Sequence, residues 1–171
     1  MPLLTWNEEL HVQHPRMDAT HEEFVDCVTA VEDALAAAGT MTAAPGTPLA
    51  APVLAAYDAL IEHSVEHFGQ EDRWMLATGF SADNCHSSQH TQVLAVLREV
   101  RRIATEGGKP ETIGQLLPEL VQWFVQHAQA ADSGLAGHLQ EIGFDTDSGA
   151  CAVPAEAGSV GGGCGSSSCS H

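Results

Sequence analysis

The sequence predicts an all-α protein, an antiparallel up-down four-helix bundle with an irregular N-terminal arm and a flexible C-terminal tail. Helix-forming residues dominate the composition, and aromatic residues make up only 5% of it. In four segments the apolar residues recur with the spacing of a helix rather than with the alternation of a strand. Stretches rich in Gly and Pro separate these segments, and short connections favour antiparallel neighbours.

The first two helices follow the arm, which spans residues 1–17. Asp18 is the expected N-cap of a helix over residues 18–38, because its carboxylate can accept from a free backbone N–H. The inward stripe of this helix consists of His21, Phe24, Val28, Val31 and Leu35. Residues 39–48 include Ala-Pro-Gly-Thr-Pro and end the helix. The second helix is expected over residues 49–76.

The third helix is expected over residues 82–104, where the Gly/Pro-rich segment 106–110 follows it. The fourth is expected over residues 111–131. Pro118 lies inside this segment, so the helix either kinks or begins at that residue. A short final helix is expected over residues 135–141.

The composition divides the chain into a folded domain and a tail. Residues 1–144 carry the apolar stripes and form the predicted bundle. Residues 145–171 are dominated by Gly, Ser and Ala and contain Cys151, Cys164 and Cys169. This segment has too little apolar surface to fold alone, so we expect it to be disordered.

The charge excludes one class of partner. The net charge is −17 and the chain has only 6 Lys and Arg residues, so no basic stripe exists that would follow a phosphate backbone. Nucleic acid is therefore not an expected partner. The N-terminus lacks the basic and apolar regions of a signal peptide, and no stretch approaches the ~20 apolar residues of a membrane span. We expect no membrane association and a cytoplasmic location.

Histidine residues lie on the apolar stripes, at positions where leucine would be expected. A buried ionisable group is costly unless a partner compensates it. A single buried histidine is common in a protein core, but here all four helices carry such residues. His67 and Glu71 are four residues apart, and so are His86 and His90. Residues at this spacing lie one turn apart on the same helix face, so both members of each pair can reach one site.

A third pair has an unusual spacing. His127 and Asp132 are five residues apart, which on an ideal helix places them ~140° apart. Both point inward only if the last turn loosens, as in a π-bulge. His21 adds one imidazole from the first helix.

The combined set contains five imidazoles and two carboxylates. A single zinc ion uses about four ligands and would leave several groups without a role. Calcium and magnesium prefer oxygen ligands alone. The set suits two iron or manganese ions that share bridging carboxylates.

This ordered pattern resembles that of the hemerythrin family. The similarity extends from about Leu4 to Leu139. The matching pieces are Trp6, Met17-Asp18-Ala-Thr-His21, His67-Phe68-Gly-Gln-Glu71 with Met75, His86-x3-His90, and Trp123-x3-His127-x4-Asp132. A single HxxxH or HxxxE motif is weak, whereas the complete ordered set is specific.

The resemblance implies a cofactor of two Fe ions with an oxo or hydroxo bridge. His86, His90 and His127 would hold one iron. His21 and His67 would hold the other and leave it one open position for O2. Glu71 and Asp132 would bridge the two irons.

Four apolar residues near these ligands are candidates for the O2 pocket: Phe68, Met75, Trp123 and Phe124. A dry wall would slow proton delivery and preserve the ferrous pair. All four can equally serve as ordinary core residues. His63 lies one turn before His67 and is a candidate for a supporting, non-ligand role. His11 and His14, in the arm, are expected to be solvated.

The resemblance implies a protein that binds O2 reversibly, as a carrier, store or sensor, rather than an enzyme. Two alternatives use the same site. One is a redox enzyme that acts on peroxide or nitric oxide, and the other is a protein that stores or donates iron. The ligand set alone does not separate these functions, because the same metal pair can support each.

Overall fold

Helices account for most of the structure, a computed structural model that describes residues 2–39, 48–80 and 85–151. The elements in chain order are a 3-10 helix (Glu8–Leu10), α1 (Pro15–Ala38), α2 (Ala51–Thr78), α3 (Cys85–Thr105), α4 (Glu111–His127), a π-helical turn (Ala128–Asp132), α5 (Ser133–Glu141), β1 (Phe144–Asp145) and β2 (Ala150–Cys151). Consecutive helices pack on one another, and α1 also contacts α4, which closes the bundle. The predicted all-α four-helix bundle is confirmed.

Helix α1 begins earlier than the sequence indicated. Its N-cap is His14, whose Nδ1 accepts a hydrogen bond from the backbone N–H of Met17, and Pro15 occupies the first turn. Asp18 is not the cap, because its carboxylate accepts from the backbone N–H of Val12 instead. His14 is buried, so the expectation that it would be solvated was wrong. His11 is exposed, as expected, with Nδ1 3.2 Å from the Asp18 carboxylate.

Helices α1 and α2 both end at a glycine C-cap. Gly39 and Gly79 both adopt left-handed backbone conformations, with φ of 64° and 70°. Only glycine takes this conformation without a steric cost, and it stops the helix in one residue. The ends expected near residues 38 and 76 therefore lie at Ala38 and Thr78.

Helix α4 runs from Glu111 through Pro118 without ending there. Of the two alternatives for Pro118, a helix that begins at this residue was therefore wrong. Directly after His127 the chain forms the π-helical turn and then continues as α5. The loosened turn between His127 and Asp132 is thus confirmed, and it occurs where the five-residue spacing requires it.

The buried apolar residues form two clusters with a polar layer between them. The larger cluster includes Phe24 of α1, Phe68 of α2 and Phe124 of α4. The smaller cluster consists of Val12, Met17, Trp74, Met75, Leu135, Ala136, Leu139 and Phe144. Along α1 the chain passes from Met17 through His21 to Phe24, so a polar residue separates the clusters. Along α2 the order is reversed, from Phe68 through Glu71 to Trp74, as in an antiparallel neighbour. The polar side chains therefore lie in one layer across the bundle.

The chain after α5 differs from the predicted tail. Asp145 pairs with Ala150 and Phe144 with Cys151 in a short antiparallel hairpin. Phe144 is buried in the smaller apolar cluster, and this contact orders residues that lack apolar content of their own. Residues 152–171, with the remaining part of the predicted tail, lie outside the described residues. Among the described helices, none is long and apolar enough to cross a membrane.

Candidate metal centre

The seven predicted ligands lie together in the polar layer, and all are buried. Their ligand atoms fall into two groups that share Glu71. One group comprises Glu71, His86, His90, His127 and Asp132, and the other comprises His21, His67 and Glu71. Within each group the atoms lie within 4.8 Å of one another. The sequence therefore identified a set of side chains that the fold brings to a single place.

Each carboxylate divides its two oxygens between the two histidine groups. Oε1 of Glu71 lies 3.0 Å from Nε2 of His67, whereas Oε2 lies 3.2 Å from Nε2 of His86 and 3.3 Å from Nε2 of His90. A carboxylate in this position can bridge two cations.

Asp132 makes the same division from the opposite end of the set. Its Oδ2 lies 3.1 Å from Nε2 of His21. Its Oδ1 lies 3.0 Å from Nε2 of His86 and 3.1 Å from Nε2 of His127. Asp132 reaches this position because the π-helical turn brings it to the same side as His127.

Several of these buried atoms have no hydrogen-bond partner. They include Nε2 of His21 and both carboxylate oxygens of Asp132. These atoms lie at hydrogen-bonding distances from one another, but their geometry is not that of hydrogen bonds. Such an arrangement is expected of atoms that would coordinate a shared ion. Buried polar atoms without partners are costly, and shared metal ions would satisfy them. The donor set, imidazole with carboxylate, fits two iron ions.

The electrostatics of the metal-free chain are those of a site that holds positive charge. Burial alone would lower the pKa of His86, but the carboxylates of Asp132 and Glu71 outweigh it and raise this pKa to about 9. Burial and Asp132 would raise the pKa of Glu71, but the imidazoles of His67 and His86 hold it well below its usual range. Burial would likewise raise the pKa of Asp132, but the imidazoles of His127, His21 and His86 lower it. Both carboxylates therefore stay ionised in a buried layer, which favours cations.

Three further groups orient the imidazoles from outside the ligand set. The Leu10 carbonyl lies 3.0 Å from Nδ1 of His21. Asp72 Oδ1 lies 3.2 Å from Nδ1 of His90, and Gln89 Oε1 lies 2.7 Å from Nδ1 of His127.

These partners fix each ring so that Nε2 faces the centre. The sequence did not indicate any of the three. Asp72 and Gln89 stand beside Glu71 and His90 in the chain, where a polar residue gives no periodic signal. The Leu10 group is a backbone carbonyl, which leaves no trace in the sequence.

The predicted pocket residues lie in different places. Phe124 is close to the two-histidine group, with ring centroids 5.3 Å from His21 and 6.5 Å from His67. Phe68 contacts both groups, at 5.1 Å from His67 and 4.3 Å from His90.

The other two candidates belong to different parts of the core. Trp123 stacks on His127 at 4.6 Å, on the three-histidine side. Met75 packs in the smaller apolar cluster with Met17 and Leu135.

His63 lies beside the site rather than in it. Its Nε2 lies 3.2 Å from the Thr20 carbonyl oxygen, and its ring centroid lies 5.7 Å from that of His67. Burial, and then the neighbouring His67 imidazole, lower the pKa of His63, which favours the neutral ring. It belongs to neither ligand group among the described residues.

Comparison with known proteins agrees with this geometry. The model of the hemerythrin HHE cation binding domain family matches residues 13–139. The chain belongs to the hemerythrin family. It is similar to a bacteriohemerythrin from Ralstonia nicotianae, with 36% identity over 146 residues, which covers 85% of this chain and 95% of that protein.

Proposed function

We propose that this protein binds O2 reversibly at a pair of iron ions, as a carrier, store or sensor. The observation that carries the proposal is the division of oxygens by Glu71 and Asp132 between two unequal histidine groups. Membership of the hemerythrin family and the similarity to a bacteriohemerythrin support it.

The two metal positions would differ in the number of imidazoles that this chain supplies. His86, His90 and His127 would hold one iron, and His21 and His67 would hold the other. Both would share Glu71 and Asp132, with an oxo or hydroxo group as a further bridge. The second position has one imidazole fewer, and this difference leaves space for a small exogenous ligand. A ferrous pair would supply the two electrons that reversible O2 binding requires.

The side chains around the two-histidine group would protect the bound ligand. Phe124 packs edge-to-face with His21, and it stacks on Phe24 at a centroid distance of 4.0 Å. Phe68 covers His67 from the α2 side. These rings exclude water from one side of the group, which slows proton delivery and the loss of the reduced state. Trp123 would support the site from the His127 side, and Met75 would support it from the smaller apolar cluster.

Stopped-flow mixing of the anaerobic, ferrous-loaded protein with O2, hydrogen peroxide and nitric oxide tests the proposal. A visible absorption band that forms with O2 and disappears on degassing, with recovery of the ferrous spectrum, supports O2 binding. Direct oxidation by O2, combined with turnover of peroxide or nitric oxide, would instead show a redox enzyme. Release of iron to an apo-protein acceptor, without a stable O2 adduct, would show iron donation.

A further inference from the structure

A polar cleft connects the protein surface with the two-histidine group. It lies between α1 and α2 and has a volume of about 300 Å³. Its lining includes Arg16 and Glu23 from α1 and His63, Glu66, His67 and Gln70 from α2. A polar species can therefore reach His67 through this cleft. The apolar clusters would not admit such a species.

The donors along the cleft become progressively more buried. The side chain of Glu23 is 69% exposed, that of His63 is 15% exposed, and that of His67 is 2% exposed. The Glu23 carboxylate lies 3.7 Å from Nδ1 of His63. Nδ1 of His67 is buried and has no hydrogen-bond partner. A carboxylate and two imidazoles thus mark steps from solvent to the site.

The hydrogen bonding of His63 determines which of its nitrogens can bind a ligand. Nε2 faces the Thr20 carbonyl oxygen, which only accepts, so Nε2 carries the proton. In a neutral ring Nδ1 then has a lone pair, and it faces the carboxylate of Glu23, which also only accepts. Two acceptors at 3.7 Å do not bond to each other. A divalent cation between them would satisfy both, since imidazole and carboxylate are both ligands for ferrous iron.

The charge of the cleft favours a cation. Glu23 and Glu66 carry the negative charges of the lining. Among the lining residues, Arg16 is the one cation. Its guanidinium lies 3.2 Å from the Asp147 carboxylate, which balances the positive charge. A site with excess negative charge and partly desolvated walls raises the local concentration of cations.

We propose that Glu23 and His63 form a transient binding site for ferrous iron at the mouth of this cleft, from which the ion passes to His67. This inference rests on the proposed function, because it requires that His67 belongs to an iron site. The ion keeps its charge throughout, so no electron is transferred. The ion first exchanges water ligands for the Glu23 carboxylate and for Nδ1 of His63. It then exchanges these two ligands for the donors of the inner site.

The test is the rate at which the metal-free full-length protein takes up ferrous iron under anaerobic conditions. Samples are quenched with a strong chelator at set times, and protein-bound iron is counted after desalting. We expect Glu23→Gln and His63→Gln each to slow uptake by about tenfold, because each removes one donor of the outer site. The final iron content should equal that of the unmodified protein. Glu22→Gln is the matched control, since it removes an equal charge from an exposed position on α1 outside the cleft lining.

Unchanged uptake rates in folded Glu23→Gln and His63→Gln proteins, with normal iron content, would overturn the inference and leave the proposed function intact. Slower binding of azide to the iron-loaded variants, with iron uptake unchanged, would also overturn it and would assign the cleft to the exogenous ligand. An unmodified protein that takes up no iron would overturn both proposals. Circular dichroism of each variant confirms that the comparison is between folded proteins.

Discussion

Nε2 of His90 lies 3.0 Å from Nε2 of His127. Their Nδ1 atoms face the acceptors Asp72 Oδ1 and Gln89 Oε1, so in neutral rings the protons lie on Nδ1. Two lone pairs then face each other across a short distance in a buried layer. A metal ion coordinated by both nitrogens would remove this repulsion, so the metal-free chain would carry a cost that the proposed loaded form would not.

Removal of the metal should therefore destabilise the fold. With free ferrous iron at 100 times its dissociation constant, each of two iron positions contributes about 2.7 kcal/mol, so we expect the free energy of unfolding to rise by about 5 kcal/mol over the metal-free protein. Urea denaturation under anaerobic conditions, followed by circular dichroism, measures the difference. Mg2+ is the control and should have no effect, because it prefers oxygen ligands. Equal urea midpoints with and without iron would contradict this prediction.

Gln89 should strengthen metal binding without touching the metal. Its Oε1 lies 2.7 Å from Nδ1 of His127 and holds that ring in position. We expect Gln89→Leu to weaken iron affinity by about 10–100-fold while the number of bound irons is unchanged. Competition with a chelator of known affinity measures the loss. Gln92→Leu is the matched control on the same helix, because Gln92 is exposed and bonds only toward Ser88 among the hydrogen bonds described. Similar affinity losses in both variants would argue against a specific role.

Phe124 should determine the lifetime of the O2-bound state. It packs against both imidazoles of the two-histidine group, so a smaller side chain admits water there. We expect Phe124→Leu to accelerate conversion to the oxidised form about tenfold, which corresponds to ~1.4 kcal/mol in the barrier. Trp123→Leu is the comparison, since Trp123 stacks on His127 of the other group. The decay of the O2-dependent absorption band measures both rates, and equal acceleration would contradict the assignment of Phe124 to the ligand pocket.

His14 should make the stability of the metal-free protein depend on pH. Burial lowers the pKa of His14, and its neutral Nδ1 accepts the capping hydrogen bond from Met17. Because the folded-state pKa lies below the unfolded one, this stabilisation is complete above about pH 6.5 and is lost as the pH falls through the lowered value. An asparagine cap does not titrate. Between about pH 7.5 and pH 5 the unmodified protein should lose ~1 kcal/mol more than His14→Asn.

Urea midpoints of the two metal-free proteins at both pH values give this difference. The metal-free form is used because the site ligands then contribute equally to both proteins. Parallel losses of stability would show that the cap of α1 does not titrate in this range.

Six of the seven candidate ligands were predictable because each interrupts an apolar stripe. His67 and Glu71 stand one helical turn apart at positions that packing would otherwise give to leucine. The π-helical turn was also predictable, because His127 and Asp132 cannot both point inward from an ideal helix. Periodicity and burial cost act together in these cases, so the pattern in the chain reflects the geometry of the site.

Local hydrogen bonds were not predictable in the same way. Both His14 and Asp18 are residue types that can cap α1. The Asp18 carboxylate accepts a hydrogen bond from the Val12 N–H of the arm, so His14 is the cap. The hairpin after α5 depends on Phe144, which is buried in a cluster that also contains residues from α1, α2 and α5. Tertiary contacts of this kind leave no periodic signal in a single sequence.

The central claim is a pair of iron ions bridged by Glu71 and Asp132, and Mössbauer spectroscopy of the iron-loaded, oxidised protein tests it most directly. Two ferric ions that share bridges couple antiferromagnetically. We therefore predict two irons per chain and a diamagnetic ground state at low temperature. One iron per chain, or two irons with the magnetic spectrum of isolated ferric ions, would contradict the claim.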